Sequence, residues 1–149
     1  MQFETILPFL RPIEHLILDP DISEIMVNGG SRIFVEKRGQ LIPVPGITIS
    51  EQALCAAVKN IARRLGDDIS EAKPILDSRL PDGSRVAAVL PPCSIDGITL
   101  TIRKFNTRHF TMADLIENGT LSADAVEFLR EKVSNRQNIL ISGGTGSGK

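Results

Sequence analysis

The sequence closes on Asn-Ile-Leu-Ile-Ser followed at once by Gly-Gly-Thr-Gly-Ser-Gly-Lys, and that join constrains the fold more than any other feature. Asn138, Ile139, Leu140, Ile141 and Ser142 read as a short apolar strand. The spacing from Gly143 to Lys149 is then G-x-x-x-x-G-K, which makes Gly143, Gly144, Thr145, Gly146, Ser147, Gly148 and Lys149 candidate nucleotide-binding residues. Glycines let the backbone adopt positive φ and approach a ligand closely, so that successive N–H groups can share one anion. Lys149 would add a point charge over the outer phosphates, and a helix starting here would add its dipole. A glycine linker or a frayed terminus could carry the same glycines, but neither has reason to follow an apolar strand. The Ser or Thr that normally comes after the lysine and ligates Mg²⁺ lies outside the sequence, so no metal ligand is expected from this stretch, and the reading expects a chain cut at Lys149.

Bulk properties narrow the classes. With 149 residues, 42% hydrophobic and 23% charged, the chain can bury a core of one ordinary domain, or of a small domain plus part of another. A formal net charge of −1 gives no general attraction to nucleic acid or an anionic membrane, and the absence of Trp and Tyr leaves few platforms for stacking bases. No apolar run reaches the length of a membrane span, and the N-terminus lacks a basic leader, so a cytoplasmic location is expected. Cys55, Cys93, His15 and His109 have no metal-ligand spacing; the cysteines read as buried or half-buried free thiols.

Periodicity organises the rest. Thr5 to Leu18 has helical spacing, but Pro8 and Pro12 allow a helix only after Pro12. Glu24 to Asn28, Arg32 to Glu36 and a short run after Arg38-Gly39 predict a three-strand meander. Ser50 caps a predicted helix through Leu65, with Leu54, Ala57, Val58, Ile61 and Leu65 inward and Gly66 as its stop. Two strands flank Pro81-Asp82-Gly83, and Ile98, Leu100 and Ile102 alternate with Thr99, Thr101 and Arg103 in a further strand. Residues 1–105 therefore read as an α+β domain built on an antiparallel sheet. Asn106 to Thr111 reads as a hinge. Residues 112–149 read as the opening of an α/β nucleotide-binding domain: a short helix from Met112 to Glu117, a helix capped by Ser122 with Val126, Leu129 and Val133 inward, then the strand and loop.

Three stretches together, "LDSRLPDGSRVAAVLPPCSIDGITLTIRKF", "FTMADLIENGTL" and "NILISGGTGSGK", resemble the type II/IV secretion superfamily of hexameric motor ATPases, nearest to the branch that assembles tight-adherence pili. The resemblance implies a sensor-like (PAS-like) α+β domain on a RecA-like domain that is only begun here, with ATP and Mg²⁺ bound between them at a subunit boundary. It also implies a homo-hexamer that is cytoplasmic, peripheral to the inner membrane and partnered by membrane platform proteins. Against a nucleic-acid motor, a third reading, stand the low charge and few aromatics, so no nucleic acid is expected as direct partner. Arginines of the first domain reach the phosphates in that family, and the matching positions are Arg85 and Arg103, which with Lys149 form the expected catalytic set. Without the resemblance each arginine reads as a solvated strand face or a surface salt bridge. Arg79 and Lys104 are weaker candidates, Lys104 having the parity of Ile98 and Ile102. The expected function is part of an ATP-hydrolysing motor for pilus assembly or protein secretion, with a conjugation ATPase or a non-catalytic interaction module as alternatives. The chain alone is expected to lack the parts needed for turnover.

Overall fold

A computed structural model describes residues 3, 4, 6–105 and 110–144. The chain forms two compact units, Met1–Phe105 and Asn106–Lys149, each taken by itself below.

The first unit is a six-stranded antiparallel sheet under a layer of helices. Its strands are β1 (Ile22–Asn28), β2 (Arg32–Lys37), β3 (Gln40–Pro43), β4 (Ile75–Arg79), β5 (Arg85–Val89) and β6 (Thr99–Arg103), in the spatial order β3-β2-β1-β6-β5-β4. Two three-strand meanders are thus joined through β1 and β6, the first and last strands of the unit. Each hairpin has local chemistry that specifies it. Arg38 and Gly39 both take positive φ in the two-residue turn between β2 and β3, the conformation whose twist matches an antiparallel pair. Between β4 and β5 the loop is Pro81-Asp82-Gly83, closed by Gly83 N–H to Leu80 O at 2.9 Å and Leu80 N–H to Ser84 O at 2.7 Å, with Gly83 in the left-handed region.

Alternation then decides which face is buried. Ile25, Val27, Ile33, Val35, Leu76, Val86, Ala88, Leu100 and Ile102 point to one side, where they share a core with Leu54, Ala57, Val58, Ile61 and Ala62. Those five come from α2 (Glu51–Arg64), whose Ser50 side chain accepts from Ala53 N–H at 3.2 Å and whose end is followed by Gly66 at positive φ. Leu65, predicted inward, only packs against the edge of the core, and Ala62 takes the inward place instead. Prolines shape the N-terminal segment as expected: two single 3-10 turns, Leu7–Phe9 and Arg11–Ile13, precede α1 (Glu14–Leu18). Of the thiols, Cys55 is half-buried, but Cys93 is exposed, contrary to the expected burial, because it sits in the loop leading to β6 rather than in an element.

The second unit contributes α3 (Met112–Glu117) and α4 (Ala123–Ser134). Thr111, assigned to the hinge on composition, is instead the N-cap of α3. Its hydroxyl accepts from Asp114 N–H, and the Asp114 carboxylate accepts from Thr111 N–H at 2.7 Å. Ser122 caps α4, and Val126 is buried, but Val133 is 64% exposed and Leu129 only half-buried, which corrects the predicted inward face. Residues 138–142 form no strand, with Leu140 94% and Ile141 75% exposed. A strand exists through hydrogen bonds to a neighbour, and among the described residues of this unit no strand is present to pair with. The hinge residues 106–109 and the loop residues Thr145, Gly146, Ser147, Gly148 and Lys149 lie outside the described residues; Gly143 and Gly144 are exposed and outside regular structure.

Candidate functional site

Sheet register places the predicted arginines together. Arg85, the first residue of β5, lies directly opposite Arg103, the last residue of β6. Arg79, the last residue of β4, lies directly opposite Arg85 on the other side. Three arginines on adjacent strands therefore form one row, about 5 Å from strand to strand. All three are exposed, on the sheet face opposite the helices of the first unit. The row continues through Glu24 of β1 and Glu36 of β2. Like charges directly opposite one another destabilise a sheet pair. Two such juxtapositions in succession are a local cost of the kind that functional sites retain.

The three guanidinium groups differ in what they already hold. Arg85 grips Asp77, its diagonal neighbour on β4, side-on: Nε donates to Oδ1 at 2.7 Å and Nη2 to Oδ2 at 2.5 Å. This pair pulls the Asp77 carboxyl below its ordinary range and raises Arg85, in both cases chiefly through that hydrogen bond. Because a guanidinium carries five donors, the side-on grip fixes its plane and leaves the remaining N–H groups directed elsewhere. Arg79 and Arg103 have no hydrogen-bond or ion-pair partner among the described residues. Glu24, although opposite Arg103, forms no ion pair with it. Planar donors of fixed orientation beside uncommitted ones suit a phosphate chain, so the donor set fits a nucleoside triphosphate. For Mg²⁺ the fit is absent: among the described residues no group of three His, Cys, Asp or Glu could hold a metal ion.

Behind the row the chain is pinned. Lys104 turns to the helix side, as its parity predicted. Its ammonium donates to Asp19 O at 2.6 Å and Leu16 O at 3.3 Å, at the end of α1, and burial lowers its pKa. It therefore serves the helix carbonyls and is not part of the arginine face. Ser84, fully buried, donates its hydroxyl to Asp82 Oδ2 at 2.7 Å and accepts Phe105 N–H at 2.9 Å. Sequence reasoning named neither Asp77 nor Ser84. Asp77 was readable in part, since it shares strand parity with Arg79 and a three-residue hairpin loop sets it diagonal to Arg85; the burial of Ser84 had no sequence signal.

The opposite end of the same sheet face carries an open groove lined by Asn28, Arg32, Phe34, Asp96 and Thr99. Its one arginine is spent on Asp96 at 2.8 Å, so the groove lacks the uncommitted cations of the Arg79–Arg103 row.

Comparison with known proteins agrees with this architecture. An uncharacterized protein of Methanocaldococcus jannaschii is 37% identical over 153 residues, covering 99% of this chain and 21% of that protein. The conjugal transfer protein TrbB of Rhizobium radiobacter is 31% identical over 132 residues, covering 88% of this chain and 40% of that one. The crystal structure of the VirB11 ATPase from the Brucella suis type IV secretion system, in complex with sulphate, superposes with a TM-score of 0.66 at 27% identity, covering 99% of this chain and 51% of that one. The chain thus spans from about a fifth to about a half of the length of these relatives. Residues 9–149 match the family of type II/IV secretion system proteins, and it is to this family that the chain belongs.

Proposed function

We propose that this chain is the N-terminal part of an ATP-hydrolysing motor that drives a secretion, pilus-assembly or conjugation machine, and that Arg85 and Arg103 are its phosphate-contacting residues. The observation that carries the reading is the register: the two arginines singled out by the family resemblance are direct partners on the sheet face opposite the first unit's helices, one held side-on by Asp77 and the other without a partner among the described residues. The match to conjugal transfer and type IV secretion proteins supports the motor class, and the tight-adherence branch remains the finer proposal.

In the working motor, Lys149 and the N–H groups from Gly143 to Gly148 hold phosphate oxygens. Arg85 and Arg103 supply positive charge where negative charge develops on the transferred phosphoryl group. Mg²⁺ carried with ATP would supply further charge neutralisation on the phosphates, and the described residues offer it no ligand set. A hexameric ring, a cytoplasmic position against the inner membrane and platform proteins as partners belong to the same proposal. No helix among the described residues is long and apolar enough to cross a membrane.

The test is a titration of the ¹⁵N-labelled chain with tripolyphosphate and with ATP, following the arginine Nε–Hε resonances. Arg85 and Arg103 should shift along one saturation curve, while sodium chloride at matched ionic strength leaves them in place. Equal shifts for all exposed arginines, Arg38 included, would refute a phosphate site. In a protein carrying the complete nucleotide-binding domain, Arg103→Ala should abolish most ATP turnover without changing the melting temperature.

A further inference from the structure

Among the described residues, Ser84 is the only buried polar or charged side chain, and its hydroxyl bonds reach beyond the turn it belongs to. The β4–β5 hairpin is already closed by its own groups: Leu80 N–H to Ser84 O, Gly83 N–H to Leu80 O, and Ser84 N–H to Asp82 Oδ1 at 3.1 Å. What the hydroxyl adds is a bond to Phe105 N–H, two residues past Arg103. At that point β6 has run beyond the start of β5, which begins at Arg85, so the hairpin turn offers no strand carbonyl to continue the ladder. The side chain stands in for the missing rung. On the other side of β6 the next residue, Lys104, donates its N–H to Ser23 O at 2.8 Å. The end of β6 is therefore tied to both neighbours immediately after Arg103. Gly83 completes the fit, because a Cβ there would lie 3.1 Å from Cγ of the Phe105 ring.

We propose that Ser84 is a positioning residue for the arginine pair: through Asp82 Oδ2 on one side and Phe105 N–H on the other it holds Arg85 and Arg103 in register at the strand ends, so that both guanidinium groups meet one phosphate chain. The inference rests on the phosphate-contact reading of Arg85 and Arg103. Without the hydroxyl, Phe105 N–H and Asp82 Oδ2 lose their partner together, and the terminus of β6 is free to fray away from β5. Arg103 then samples positions that Arg85, still gripped by Asp77, does not follow.

The experiment is the tripolyphosphate titration repeated on Ser84→Ala and Asp82→Ala, with and without Arg103→Ala. Ser84→Ala should keep the fold by circular dichroism and raise the apparent Kd about fivefold, the size expected for coupled neighbours. Asp82→Ala should weaken binding in the same direction, and the double change should cost no more than Ser84→Ala alone. With Arg103→Ala present, Ser84→Ala should lower the melting temperature as before but leave Kd unchanged. A purely structural serine would lower the melting temperature with no change in Kd, or would shift Kd equally in both backgrounds; either result overturns the proposal. If Ser84→Ala does not fold, Asp82→Ala alone decides, an unchanged Kd counting against the relay. Failure of the wild-type chain to show arginine shifts would bring down the phosphate-contact reading itself, and is distinct from a wild-type site that Ser84→Ala leaves intact.

Discussion

Gly30 and Gly39 both sit at turn positions with φ near +76° and +75°, yet replacing each by alanine should have very different consequences. At Gly39 nothing lies within 4 Å of a built Cβ, so Gly39→Ala carries only the left-handed penalty of about 1–2 kcal/mol, offset by about 0.4–1 kcal/mol from a stiffer unfolded chain. The net loss should be about 1 kcal/mol. At Gly30 the added Cβ would fall well inside the contact distance of Ile49 O, a backbone atom that no rotamer change can move. Relief requires shifting the segment before α2, which breaks the bond from Ile49 N–H to Gly30 O at 2.8 Å and lifts Ile49, 6% exposed, off the core. A lost hydrogen bond with a stranded amide costs about 1–3 kcal/mol and partial exposure of an isoleucine about 1 kcal/mol; with the same net strain of about 1 kcal/mol as at Gly39, Gly30→Ala should lose about 3–5 kcal/mol in all. Over a unit of this size that is about 12–20 °C in melting temperature, against about 4 °C for Gly39→Ala. With no Trp or Tyr in the sequence, urea and thermal melts are followed by circular dichroism. Equal losses at the two positions would show that conformational strain alone governs these turns and that the approach of Ile49 O to Gly30 adds no cost.

Arg85→Ala should weaken tripolyphosphate binding more than Arg103→Ala, because it also uncovers the Asp77 charge; adding Asp77→Asn to Arg85→Ala should recover the difference, and no recovery would show that Asp77 does not face the anion. Acid should destabilise the first unit in a defined window. Asp19, Asp67 and Asp77 all have lowered pKa values, each led by a hydrogen bond from Lys37, Lys73 or Arg85 respectively, so their stabilisation is present above the unfolded carboxylate pKa near 3.9 and is lost as pH falls through the folded values. Urea midpoints should be flat from neutrality to about pH 5 and fall below about pH 4, and Asp67→Asn should make that fall shallower. Lys104→Met should cost about 2 kcal/mol in urea melts by leaving Leu16 O and Asp19 O without their donor, while arginine shifts with tripolyphosphate persist; loss of those shifts would place Lys104 in the site after all.

Local chemistry was legible where the cause of structure is local. Ser50 and Gly66 marked the ends of α2, and Ile98, Leu100 and Ile102 declared their face because side chains in a strand alternate. The turns at Arg38-Gly39 and Pro81-Asp82-Gly83 were visible as residues that accept the required dihedrals. By contrast, the inward reading of Val133 and the strand over 138–142 depended on neighbours that periodicity does not supply. An apolar stripe states that a face can be buried, not that something covers it.

The sequence by itself thus determined the six strands of the first unit, the buried face of the last of them, and the place of Arg103 on that strand's polar parity. Only the tertiary structure decided that β1 closes on β6, and that Arg79, Arg85 and Arg103 share one row with Asp77 holding the middle member. Strand pairing across long stretches of chain is set by summed packing and register over the whole sheet, with loop entropy opposing it, and no short window of sequence contains that sum. The same is true of Ser84, whose hydroxyl is ordinary in the turn and acquires its task only when Phe105, distant along the chain, arrives beside it.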